Sequence, residues 1–178
     1  MTHSYSSTVL QVLGHSQGIE VICPESRPLA EGLRTAKALG AKGIRVRLVA
    51  DFAALSLVGE SDLVMVGADA ITPDGVVNKV GTYGLALAAR EKAVPFYVLA
   101  GREKFLPAPL SRALRIEKKN PKEITQETIP NVVVENRYFD FTPLDLITGV
   151  VTQAGVIAGD EVRRLLQGMG ISKGLEGP

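Results

Sequence analysis

Apolar residues in this chain fall into short β-branched runs, separated by longer stretches where they recur every three or four positions. That alternation predicts strand, helix, strand, helix along the whole length. The runs are Ile19–Cys23, Ile44–Ala50, Ser61–Gly67, Pro95–Ala100, Val132–Glu135 and a last one near Ile147–Thr152, each read as a buried strand. Ser4–Leu13 has one apolar face and a hydroxyl-rich start, which predicts a short helix ended by Gly14. A second helix is expected from Pro28, at its first position, to about Leu39, with Gly40 closing it. Phe52–Val58 is a short helical piece, Thr82–Lys92 a small-residue helix able to lie close to a sheet, and Asp160–Gln167 the last helix. Leu106–Pro130 is charged and broken by prolines. It predicts one or two helical turns over Ala108–Arg115 and a solvated loop over Lys118–Glu127, and a further turn is expected at Leu144–Leu146. The pattern describes an α/β fold, a three-layer sandwich with a mostly parallel sheet over residues 1–168, followed by a flexible glycine-rich tail over 169–178.

The chemistry concentrates in Val64–Leu87, where a strand ends in Gly67-Ala68-Asp69, a Thr72-Pro73-Asp74-Gly75 turn follows, and Asn78-Lys79-Val80-Gly81-Thr82 leads into a helix. Ligands of open α/β sheets sit beyond the carboxyl ends of strands. Asp69 supplies a carboxylate, Asn78 an amide and Lys79 an ammonium, with Thr82 as a helix cap whose neighbouring amides favour an anion. Arg27, just before the Pro28 helix, has the design of a second anion site. Four polar clusters, Glu25–Arg27, Gly67–Asp69, Arg102–Lys104 and Asn136–Asp140, all follow strands, which points to one cleft. Asp51, at the end of the second strand, reads as a helix cap rather than a ribose ligand, because no glycine-rich dinucleotide or phosphate loop accompanies it.

The 178 residues are 46% apolar, ample for one domain's core, and the net charge of +1 disfavours direct nucleic-acid binding. Cys23 is the only cysteine, so there is neither an internal disulfide nor a thiolate metal cluster, and no metal or cofactor is called for. No basic, apolar-cored leader and no run of membrane-spanning length appears, so a cytoplasmic protein without membrane contact is expected.

Glu25–Gly32 (ESRPLAEG), Val66–Tyr83 (VGADAITPDGVVNKVGTY), Pro95–Phe105 and the N-x-x-F-D-x-T-P string of Asn136–Pro143 together resemble one family. It unites the alpha, beta and delta subunits of translation initiation factor 2B with methylthioribose-1-phosphate and ribose-1,5-bisphosphate isomerases. The resemblance implies a Rossmann-like C-terminal domain, without the family's helical N-terminal domain, that associates through this domain, hence a homodimer. It implies a phosphosugar- or nucleotide-type ligand held by Ser4, Arg27, Glu31, Gly67, Asp69, Asn78, Lys79 and Lys104. In the isomerases an aspartate matching Asp69 works with a cysteine that corresponds to Ser4 here, and a glutamine is usual where Glu31 stands. Cys23, at a strand end, is no substitute. Three functions follow: a non-catalytic factor 2B-like domain that keeps the cleft, an aldose–ketose isomerase using Asp69, and a structural dimer that binds nothing. The resemblance favours the first.

Overall fold

The computed structural model describes residues 1–169; the expected tail from 170 onward lies outside the described residues. The chain opens with β1 (Thr2–His3) and α1 (Ser7–Leu13), whose N-cap Ser6 accepts a hydrogen bond from the Val9 amide at 3.3 Å. The hydroxyl-rich start is thus a cap and a turn, and the helix begins later than Ser4. β2 (Glu20–Pro24), α2 (Glu31–Gly40), β3 (Arg45–Val49), α3 (Asp51–Leu57) and β4 (Val64–Val66) follow as alternating units. Pro28 is not the first position of α2, whose N-cap is Ala30 in a left-handed conformation. The Glu25–Leu29 stretch is tied down elsewhere: the Asp51 carboxylate accepts the Ser26 and Arg27 amides at 2.6 and 2.8 Å. Asp51 therefore lies inside the first turn of its helix and caps a neighbouring loop instead of α3 itself.

After β4 the chain forms a hairpin, not a plain loop. β5 (Ala70–Ile71) and β6 (Gly75–Lys79) pair antiparallel around the expected turn, in which Thr72 Oγ1 accepts the Gly75 amide at 3.1 Å. Then come α4 (Thr82–Glu91), β7 (Phe96–Leu99), a single turn α5 (Ala108–Ser111), β8 (Lys118–Lys119), β9 (Asn136–Arg137) and β10 (Phe139–Pro143). β11 (Gly149–Thr152), β12 (Gly155–Ile157) and α6 (Gly159–Gly168) complete the order. Val132–Glu135 is not a strand: Val133 is 86% exposed, with no sheet beside it to bury the run. Pairing passes to the residues after it, β9 with β8 and β10 with β6. Lys118–Glu127 is likewise more than a solvated loop. Its Glu123 carboxylate accepts the Tyr138 hydroxyl at 2.6 Å and the Asn136 amide at 2.7 Å.

β1, β4, β7 and β11 form a parallel sheet that β12 closes antiparallel, and the parallel pair β2–β3 lies beside β1. Side by side the strands run β3, β2, β1, β4, β7, β11, β12, a doubly wound order that reverses between β1 and β4. β10–β6–β5 make a separate antiparallel sheet. The larger apolar cluster joins α3, α4 and α6 to the central strands through Ala54, Leu85, Ala86, Ala89, Val162 and Leu166; α4 presents its small residues to the sheet as its spacing predicts. A smaller cluster, Val21, Cys23, Leu39 and Ile44, packs against Leu10 and Leu13. No described helix is long and apolar enough to cross a membrane.

Candidate functional site

The ends of β1, β4 and β7 open onto one cleft of about 340 Å³. Its walls are Tyr5 to Thr8 after β1, Gly67 to Asp69 after β4, Leu99 to Gly101 with Glu103 and Lys104 after β7, and Asn78 from β6. This is the reversal point of the strand order, where a crevice between diverging connections is expected. Gly67 is required there: a Cβ at that position would stand 2.7 Å from Ser6 Oγ, so the strand end and the α1 cap approach closely only over a glycine. Gly101 plays a similar part, since a Cβ there would collide with the Glu103 carboxylate, which folds back across it.

Asp69 is exposed to solvent at the cleft, its amide held by Val77 O at 2.9 Å. Its carboxyl is shifted upward, chiefly because surrounding protein displaces water from the charged form. Lys104 and Lys79 oppose the shift and Glu31 adds to it. Asn78 is buried at the cleft wall, and its Nδ2 donates to Thr82 Oγ1 at 3.0 Å, which leaves the side-chain carbonyl without a donor among the described residues. A titratable carboxylate, an amide, an ammonium and a row of hydroxyls thus face one space. That set can read several hydroxyl groups and one anion.

The remaining expected residues lie elsewhere. Lys79 follows Asn78 on the opposite side of β6, 3% exposed, its Nζ 2.7 Å from Glu31 Oε2 and 5.0 Å from the centre of the Tyr138 ring. Arg27 is exposed over a second depression of about 520 Å³ shared with Asn136 and Arg137. The four polar clusters therefore do not form one cleft; two of them do. Nor is the N-terminus of α4 open to an anion, because Asp140 Oδ2 already accepts the Gly81 amide at 2.7 Å and the Tyr83 amide at 3.1 Å. Thr82 is not the cap; its hydroxyl donates to Lys79 O at 2.6 Å.

Ser4 sits in the turn between β1 and α1 with φ +63°, its amide donating to Ser26 Oγ at 2.8 Å and its carbonyl accepting from Thr35 Oγ1 at 2.6 Å. His3 is fully enclosed, not at a loose terminus. Its Nε2 lies 2.9 Å from Val80 O, so that nitrogen carries the proton, and Nδ1 accepts from Ser26 Oγ at 3.2 Å. Burial lowers its pKa further, keeping the ring neutral. Both nitrogens are committed, so His3 cannot serve Ser4 as a base. Cys23 is buried and its thiol is pushed up to about 12 by burial, as expected of a packing residue. Among the described residues no three metal-ligating side chains converge.

Sequence reading missed Tyr5, Ser6, Ser7 and Thr8 as cleft residues, although a hydroxyl-rich strand-to-helix turn was the available signal. Glu103 lies within the expected Arg102–Lys104 cluster, but nothing in the sequence marks its fold-back over Gly101.

The family model of the initiation factor 2 subunit family matches residues 1–159. The ribose 1,5-bisphosphate isomerase of Archaeoglobus fulgidus is 43% identical over 165 residues, covering 88% of this chain and 53% of that protein. The methylthioribose-1-phosphate isomerase of Syntrophotalea carbinolica is 41% identical over 157 residues, covering 83% of this chain and 46% of the relative. Among solved structures, the translation initiation factor eIF-2B of Pyrococcus horikoshii superposes with a TM-score of 0.80 at 37% identity, covering 93% of this chain and 59% of the other. The chain spans about half the length of the curated relatives it matches. With the matching model over nearly all of its described length, the chain belongs to the initiation factor 2 subunit family.

Proposed function

We propose that the cleft binds a phosphorylated sugar of pentose size and that this chain, by itself, holds the ligand without converting it. The observation that carries the reading is the convergence of Asp69, Asn78, Lys104 and the Ser6–Thr8 hydroxyls at the point where the strand order reverses. Relatives named for ribose 1,5-bisphosphate and methylthioribose-1-phosphate isomerisation support a phosphorylated sugar as the ligand class. Binding without turnover rests on Ser4. Moving a proton between adjacent carbons needs an acid–base group and a partner that steadies the developing oxyanion. Asp69 suits the first role; among the described residues no base is hydrogen-bonded to the Ser4 hydroxyl, and both nitrogens of His3 are engaged elsewhere.

The second reading is an aldose–ketose isomerase in which Asp69 moves the proton between C1 and C2. It is favoured by the upward-shifted Asp69 carboxyl and by the names of the relatives. Thermal unfolding with ribose phosphates tests the first part. A ligand at a hundred times its Kd stabilises by about 2.7 kcal/mol, or about 5–10 °C in Tm at this size; no shift with any sugar phosphate refutes it. A coupled isomerase assay run with Ser4→Cys and Asp69→Asn decides the rest. Turnover by the wild type that vanishes in Asp69→Asn establishes the isomerase.

A further inference from the structure

We infer that the cleft takes a sugar carrying a single phosphate and disfavours a bisphosphate, with Glu103 as the side chain that excludes the second phosphate. The inference rests on the sugar-phosphate reading above and narrows its ligand class. Lys104 is the one cation among the described residues lining the cleft, whereas Asp69 and Glu103 both bring carboxylates to it. The other cations near it stand outside its lining. Lys79 is buried against Glu31, Arg27 faces the second depression, and Arg102 lies over an adjoining hollow with Glu103, Gln153 and Ala154. Arg34 stacks 4.2 Å above the Tyr5 ring.

A phosphate ester carries about −1.5 to −2 charges at neutral pH, so one such group beside Lys104 is matched in sign, with the Ser6, Ser7 and Thr8 hydroxyls able to donate to it. A second phosphate adds as much again and meets no further lysine or arginine among the described residues lining the cleft. Asp69 has a use of its own: it is an acceptor for sugar hydroxyls, which a monophosphate keeps free where a bisphosphate has esterified one more. Glu103 is placed for rejection by the backbone, since its carboxylate lies folded over Gly101 at the cleft wall. Like charges brought together in a partly dry site cost enough to set specificity.

Calorimetric titration of the whole chain with ribose 5-phosphate, ribose 1,5-bisphosphate and inorganic phosphate, at one ionic strength, tests this. The monophosphate should bind at least about tenfold more tightly than the bisphosphate. Glu103→Gln should raise bisphosphate affinity by about tenfold and change monophosphate affinity by less than about threefold, and Lys104→Ala should weaken both by about tenfold or more. A bisphosphate that binds as tightly as the monophosphate, or a Glu103→Gln gain equal for both, overturns the inference and leaves the sugar-phosphate reading standing. Absence of binding by either sugar overturns both.

Discussion

Replacing Asp140 by Asn should stabilise the protein at neutral pH, although Asp140 caps a helix. Oδ2 accepts two amides of the α4 N-terminus, at 2.7 and 3.1 Å, while Oδ1 is buried with no hydrogen-bond partner among the described residues. Burial outweighs the two amides and pushes the carboxyl up to about 6. A folded pKa raised above the unfolded value means the native state holds its proton longer. Stability is then fully present below about pH 4 and lost as pH rises through 6. A shift of about two units corresponds to about 3 kcal/mol, and partial exposure of the group reduces this to about 1–2 kcal/mol. Asn keeps an acceptor for the amides and removes the charge. Asp140→Asn should therefore gain about 1 kcal/mol at pH 7.5, or about 2–4 °C in Tm, with the gain fading toward pH 4. Asp140→Ala leaves the amides without a protein partner and should lie about 1–2 kcal/mol below the Asn variant at every pH. Urea unfolding from pH 4 to 8 measures all three proteins. An Asn variant less stable than wild type at pH 7.5, or a difference that does not vary with pH, would refute the reasoning.

Gly67→Ala should destabilise by about 1–3 kcal/mol, read by the same unfolding assay, because its Cβ meets Ser6 Oγ at 2.7 Å and displaces the α1 cap. Glu31→Ala leaves the Lys79 ammonium buried without its carboxylate and should cost about 3 kcal/mol or more, whereas the paired change Glu31→Gln with Lys79→Met recovers most of it; a small loss in the single variant would show the pair to be well solvated. The chain should be a homodimer by light scattering at micromolar concentration, with Val156, 62% exposed on the edge strand β12, as the position where Lys should weaken assembly; a monomer mass for the wild type sinks this.

Helices and their order were legible because each has a stripe or a stop: α4 keeps Leu85, Ala86 and Ala89 inward at helical spacing, and α6 does the same with Val162 and Leu166. The buried run in β4 was legible for its β-branched residues. What failed were strands without an apolar run of their own. β1 is Thr-His, buried only because Met65 and Val66 pair with it, and β6 is buried along all five residues, so no alternation marks it. Val132–Glu135 failed in the opposite way: Val132 and Val133 stay exposed because no neighbouring strand covers them. Within the cleft, Gly67, Asp69, Asn78 and Lys104 were visible as polar groups after strands, but strand alternation turned Lys79 away from Asn78 to meet Glu31. Arg27 was misplaced for a longer-range reason, the capture of its loop by Asp51, twenty-four residues on.

The wall that carries Asn78 is the middle strand of a three-stranded sheet, with Val77 paired to Ala70 on one side and Asn78 to Asp140 on the other. Its neighbour Asp140 pins the start of α4. Such a wall has already lost its freedom before any ligand arrives, so little ordering entropy remains to oppose binding there. It also cannot widen. A ligand slightly too large has to be refused outright, because the strand can yield only by breaking ladder bonds on both sides and loosening the helix behind it.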